Sequence, residues 1–279
     1  MIKSIFLTFP IFILLSCGGP KNEASQSVNL KGSDTVLPLA QKTTEGFLKI
    51  NPTHSITVVG GGSGTGITAL MDGNADIAMS SRDLKAEEKL KFKEKGLNIQ
   101  TITVGVDALA VVVHPSNKVT KLTREQIEGI FTGATKNWSE VGGDDMEIVC
   151  YSRENSSGTY EFFKEHVLDK KNYGTGVLNM PATGAIVQSI SQTIGAIGYI
   201  GMAYVTPEIK TVDVSYDAGQ NFYTPNFENA MNKTYPISRP LYYLYDKKIE
   251  DRLKPYLDYC LSAEGQNLVK EVGFLPVQK

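Results

Sequence analysis

Short apolar runs rich in β-branched residues alternate, from Val28 to Val272, with longer segments whose apolar residues recur at helical spacing. That alternation leaves few folds open, because strands joined by helices line up mostly parallel and the helices then cover both faces of the sheet. Strands are expected over residues 28–31, 55–59, 75–79, 99–113, 147–151, 196–201, 209–216 and 239–245. Helices are expected over 35–50, through Leu70 and Met71, and over 84–95, 123–131, 157–167, 183–193 and 227–233, with a helix pair over 249–272 broken near Gly265. In the first helix Leu37, Ala40, Phe47 and Ile50 are the core candidates, and Asn51-Pro52 stops it. Thr123, followed three residues later by Gln126, forms a capping box. The lysine- and glutamate-rich stretch 84–95 reads as a solvated face. With no tandem repeat and no low-complexity linker, the pattern predicts a two-lobed α/β protein whose chain crosses between lobes near Asp107 and Arg239.

The first residues follow other rules. After Lys3, residues 5–15 are apolar except for Thr8 and Pro10. Such a run is too short to span a bilayer, which takes about 20 residues, but it suits the apolar region of a secretion signal. It ends in Leu14-Leu15-Ser16-Cys17-Gly18, which resembles the box cleaved before its cysteine in bacterial lipoproteins. Residues 1–16 are therefore expected to be a signal peptide, Cys17 the lipidated residue, and 17–27 a tether that holds the protein to a membrane by lipid alone.

The whole sequence carries 28 Lys and Arg against 30 Asp and Glu. No basic footprint for nucleic acid is present. Cys150 and Cys260 show neither metal spacing nor a CxxC motif, and read as buried thiols, with a disulfide left open. His54, His114 and His166 are scattered, so a metal site is not expected.

Three segments share one design, in which an apolar strand runs through a turn of Gly, Ser and Thr into a helix: Lys31 to Thr35, Gly61 to Thr65, and Arg153 to Thr159. Ser80-Ser81-Arg82 is a fourth such turn. A helix N-terminus offers unpaired N–H groups and partial positive charge, and small residues let an anion approach it. Several such ends on one cleft would cage an anion with few formal charges. Nucleotide and hydrolase motifs fail here. The glycine loop runs into Ile67 and Thr68 without the Walker lysine, fits no GxGxxG register, and carries Thr65 where a nucleophile elbow needs its last glycine. An enzyme acting on phosphoesters would need a metal cluster or an activated nucleophile, and neither is visible.

In order along the chain stand Gly-Ser-Asp-Thr at 32–35, Gly-Gly-Ser-Gly-Thr-Gly at 61–66, Asp-Ile-Ala-Met-Ser-Ser-Arg at 76–82, and Ile-Phe-Thr-Gly at 130–133 with Asn137-Trp138. Arg153 to Thr159, Ala196 to Gly201 and Ser238-Arg239-Pro240-Leu241-Tyr242 follow. Together they resemble the periplasmic phosphate-binding proteins of high-affinity phosphate ABC transporters, from about Val28 to Val277. The resemblance implies the type II periplasmic-binding-protein fold, with each lobe a mostly parallel sheet flanked by helices and a ligand cleft between them. The lobes would be 28–107 with 240–279, and 108–239. It implies a monomer that captures inorganic phosphate without a cofactor and hands it to the transporter permease; the alternative is a sensor or surface binder of phosphate, sulfate or molybdate with no transport role. The ligand-binding positions would be Ser33, Asp34, Thr35, Ser63, Ser81, Arg82, Arg153, Ser157, Gly158 and Thr159, with Arg153 supplying a guanidinium capable of a forked grip. Two positions depart from the family pattern. Ser81 stands where some members carry an aspartate that accepts the proton of phosphate, a role that could pass to Asp34. Asn155 stands where an aspartate often supports the arginine. Trp138, the single tryptophan, is expected to anchor the core of the second lobe.

Overall fold

The computed structural model describes residues 27–277; the expected signal peptide, Cys17 and all of the tether but its last residue lie outside them. Ser27 itself already belongs to the first strand. The elements run β1 (Ser27–Gly32), α1 (Leu37–Ile50), β2 (Ser55–Val59), α2 (Ser63–Met71), β3 (Ile77–Ser80), α3 (Ala86–Glu94), β4 (Ile99–Val113), β5 (Lys121–Thr123), α4 (Arg124–Thr132), β6 (Val149–Arg153) and α5 (Gly158–His166). They continue with β7 (Leu178–Met180), α6 (Thr183–Gln192), β8 (Ala196–Gly201), β9 (Lys210–Thr211), β10 (Asp213–Ser215), α7 (Phe227–Met231), β11 (Ser238–Asp246), α8 (Glu250–Leu261) and α9 (Ala263–Val272).

The principal sheet has the order β2-β1-β3-β11-β4-β8-β6-β7, with β9 on β4. At one end β1 pairs in parallel with β2 and β3; at the other, β6 pairs in parallel with β7 and β8. Between these two parallel blocks run the long antiparallel strands β4 and β11, in register with Asp107 opposite Arg239. The inner strands β3 and β8 and the second half of β4 are covered on both faces and buried throughout, whereas β1 buries alternate residues. In β4, Leu109, Val111 and Val113 point into one core with Trp138, Phe131 and Phe163, while Ala110 and Val112 point into another with Ile186 and Ile190. In β3, Ile77 and Met79 face a core with Phe47 and Tyr256, and Ala78 faces Ile67 and Phe92. Along β4 the core changes from that of Val104 to that of Ala108, and from that of Leu241 in β11 to that of Ile237 just before the strand, on either side of Asp107 and Arg239. The change of core falls at those two residues on both of the long strands. Trp138 is fully buried in the second lobe, with its indole N–H donating to the Gly195 carbonyl at 2.9 Å.

Several elements differ from the sequence expectation for local reasons. Helix α1 starts at Leu37, because Val36 and Leu37 N–H close a turn on the Ser33 carbonyl and Thr35 is turned into the cleft. Its buried stripe is Leu39, Ala40, Thr43, Thr44 and Phe47, at helical period; Ile50, at the last turn, is 61% exposed. The break between α8 and α9 falls at Ser262, whose side chain caps Gly265 N–H at 3.1 Å. Gly265 sits inside α9, where a Cβ would come 2.8 Å from the Cys260 carbonyl oxygen. The stretch 209–216 is two short strands, since Val212 bonds to the Val111 carbonyl of β4 and Asp213 turns to Thr120 beside β5. Cys150 and Cys260 lie in the cores of opposite lobes as free thiols, and burial pushes each up to about 12.

Candidate functional site

The four small-residue turns converge where the lobes meet. From the first lobe come Ser33, Asp34 and Thr35 between β1 and α1, Ser63 at the first turn of α2, and Ser81 after β3; from the second come Arg153 at the end of β6 and Ser157, Gly158 and Thr159 entering α5. All of these side chains are buried. Ser33 Oγ donates to Ser81 Oγ at 3.0 Å, and Ser63 Oγ accepts from Ser81 N–H at 3.1 Å. Across the cleft, Thr35 and Thr159 hydroxyls stand 2.9 Å apart. A Cβ on Gly158 would land on Ser63 Oγ and 2.7 Å from Ser81 Oγ, so only glycine lets the N-terminus of α5 reach the first lobe.

Backbone geometry keeps donors open. Gly61 and Gly62 take φ of +124° and +94°, in the region that favours glycine, and α2 begins without any side-chain cap. Gly64 N–H instead donates to the Ser156 carbonyl of the other lobe at 2.9 Å. Ser157 does cap its own helix, accepting from Thr159 and Tyr160 N–H at 3.2 and 3.4 Å.

Asp34 and Arg153 form a buried ion pair across the lobes. Asp34 Oδ1 also accepts from Gly61 N–H at 3.0 Å, and its backbone carbonyl accepts from Tyr204 OH at 2.6 Å. Burial and the nearby Asp34 carboxylate raise the Tyr204 phenol, which holds it in the donating form. The charge that Asn155 lacks is thus supplied to Arg153 by Asp34. The guanidinium is further held by Met180 O at 3.3 Å, Thr183 Oγ1 at 2.8 Å and Pro181 O at 3.0 Å. With five N–H groups in all, Arg153 retains one donor on Nη1. The forked grip anticipated for it is taken up by protein partners.

Arg82 does not join this cluster. Its guanidinium forks onto Glu88 at 2.7 and 2.8 Å and faces a neighbouring cavity of about 190 Å³. Burial would raise the Glu88 carboxyl, but the Arg82 fork and the Lys85 backbone N–H hold it below 4.5. At the cleft rim Lys85 of the first lobe pairs with Glu161 of the second at 2.8 Å.

Sequence reasoning missed a second buried ion pair, Arg239 with Asp107, at 3.0 Å. Arg239 Nη2 also reaches Thr159 Oγ1 at 2.9 Å and, more distantly, Thr35 Oγ1 at 3.4 Å. Burial pushes the Asp107 carboxyl up against the pull of Arg239, and pushes the Arg239 guanidinium down against the pull of Asp107. A signal was present: a carboxylate inside the apolar run 104–113 must have a buried partner. Both guanidinium groups at the cleft are matched by carboxylates, so an anion entering it meets amides, hydroxyls and helix N-termini more than unpaired charge. Among the described residues no group of three or more His, Cys, Asp or Glu side chains could hold a metal ion.

The PBP superfamily domain matches residues 19–264. The phosphate-binding protein PstS of Pseudomonas aeruginosa is 34% identical over 270 residues, covering 91% of this chain and 84% of its own length. That of Borreliella burgdorferi is 32% identical over 289 residues, covering 100% of each. A structure from Clostridium perfringens, described as a phosphate ABC transporter substrate-binding protein with bound phosphate, superposes with a TM-score of 0.82 at 34% identity, over 90% of this chain and 100% of its own.

Proposed function

Because the chain belongs to the PBP superfamily and, within it, to the phosphate-binding proteins, we propose that it captures inorganic phosphate between its two lobes and delivers it to the permease of an ABC transporter. It acts as a receptor and not as an enzyme. The observation that carries this reading is the meeting of hydroxyls from both lobes, Thr35 with Thr159, beside Ser33, Ser63 and Ser81 in a buried cleft. Ser33, Thr35, Ser63, Ser81, Ser157, the free Nη1 donor of Arg153 and the backbone of Gly158 and Thr159 surround the anion. Asp34 holds Arg153 and accepts the proton that phosphate carries and sulfate lacks. Arg82 stays outside this set. The lobes are 28–107 with 240–279, and 108–239, a division supported by the change of core at Asp107 and Arg239. The protein is exported and acts as a monomer; the apolar run before Cys17 supports anchoring by lipid on that cysteine.

Hydrogen bonds to a charged group contribute roughly 1.5–3 kcal/mol each, and a micromolar site needs about 8 kcal/mol net after desolvation and closure. The donors named above suffice. Calorimetry with phosphate, arsenate, sulfate and molybdate tests the reading: micromolar or tighter phosphate binding, with sulfate far weaker, is expected. No heat with phosphate, or equal affinity for sulfate, overturns it.

A further inference from the structure

We propose that Arg239 is a positioning residue for the anion site, one that turns the lone pairs of Thr35 and Thr159 toward itself and so commits the one free hydroxyl proton of the pair to the ligand. The inference rests on the phosphate-binding reading and adds a residue that touches no ligand itself. Arg239 is only 2% exposed and stands opposite Asp107 on the two strands that cross between the lobes. Its Nη2 gives one N–H to Asp107 Oδ2 at 3.0 Å and another to Thr159 Oγ1 at 2.9 Å, with Thr35 Oγ1 at 3.4 Å. A guanidinium can only donate, so each hydroxyl must turn lone pairs toward it. The two threonines are themselves 2.9 Å apart, so one donates to the other. The single hydroxyl proton left over can point neither at Arg239 nor at its neighbour, and faces the cleft. Without the guanidinium the same pair could present lone pairs to an anion, which repels it. Arg239 Nη1 is also buried and has no hydrogen-bond partner among the described residues, and the guanidinium lies over the Phe162 ring at 5.2 Å from its centroid. Because Thr35 and Thr159 belong to different lobes, the device is complete only when the cleft is shut.

The test is a double-mutant cycle on the full chain, read by phosphate calorimetry. Arg239→Lys keeps a cation beside Asp107, but one ammonium cannot serve Asp107 and both threonines in that geometry. Phosphate binding should weaken about tenfold in the otherwise unaltered protein, and by less than about twofold when Thr159 is already valine, because the two residues act through one another. Should the lysine variant fail to fold, Arg239→Met with Asp107→Leu replaces the buried pair by apolar groups, an exchange proteins often tolerate, and is read in the same two backgrounds. Unchanged affinity, or an equal loss with and without the Thr159 hydroxyl, overturns the role assigned to Arg239. If the unaltered protein binds no phosphate, the functional reading fails and this inference with it.

Discussion

At the corner between β2 and α2 the helix N-terminus has no side-chain cap, whereas at the corner between β6 and α5 Ser157 caps its own helix. Both corners join a strand to a helix through Gly, Ser and Thr, and both meet in the cleft. The first gets its outside partner, the Ser156 carbonyl, only when the other lobe is near. The second is complete by itself and brings a guanidinium. One corner is thus ordered by closure, and the other is a rigid platform that closure docks onto. Sequence composition alone does not separate these roles, since a hydroxyl before a helix serves as a cap or as a ligand donor with the same letters.

Variants can break this contrast at several strengths. The largest effect belongs to the rigid corner: Arg153→Met should weaken phosphate binding at least about 100-fold, roughly 3 kcal/mol. It should also lower the thermal midpoint, because Asp34 is left buried without its partner. Calorimetry and a melting curve check both. Gly158→Ala should come next, at about 30-fold in affinity by analogy with other overpacked contacts, since its methyl would meet Ser63 and Ser81 and hold the lobes apart. Small-angle scattering with saturating phosphate should then show no compaction. Asp34→Asn keeps the volume but turns one acceptor into a donor. Phosphate binding should fall about tenfold, and the preference over sulfate should shrink, measured as the ratio of the two dissociation constants. A ratio unchanged from the parent assigns proton acceptance elsewhere.

Smaller effects sharpen the contrast. Ser63→Ala and Ser157→Ala each remove a hydroxyl donor and should each weaken phosphate about fivefold. Ser157→Ala should lower the melting temperature by about 2–4 °C, the effect of losing a cap of roughly 1 kcal/mol in a chain of this size, and Ser63→Ala should lower it too, because the buried Ser81 N–H loses its acceptor. The smallest effect concerns pH. The Glu88 carboxyl lies lower in the folded protein than in the unfolded chain. Its contribution to stability is therefore present above its ordinary 4.5 and is lost as pH falls through the lowered folded value. Glu88→Gln should flatten the acid side of a stability profile with no change in phosphate affinity at neutral pH, as denaturant melts at a series of pH values would reveal.

Much of this was legible before any coordinates. The capping box of Thr123 and Gln126 forms as the spacing suggests, with Thr123 Oγ1 accepting from Gln126 N–H at 3.2 Å. Strands β4 and β8 keep the limits their apolar runs imply. Periodicity and turn chemistry are local, and a local rule reads them. What escaped depends on which partner claims a side chain, and most of those partners lie far away in sequence. Arg82 carries the right charge in the right kind of turn, but Glu88, only six residues on, claims it. Asp34 meets Arg153 across 119 positions and Arg239 meets Asp107 across 132, separations that no window along the chain can span. Gly265 looked like a helix break because glycine usually is one, yet its lack of a side chain serves the packing of α9 on α8.

The two crossover strands also set an order of events. Apart from Leu275, the cores of residues 108–237 come from one uninterrupted stretch, whereas the core of the other lobe joins Val28 and Leu30 to Leu241, Tyr256 and Phe274. The half that emerges first from the ribosome or the export channel must wait for the last forty or so residues before it can finish folding, while the half made in the middle takes only Leu275 from them. A chain shortened by its last two helices should therefore lose not a tail but the whole of the half to which its beginning belongs.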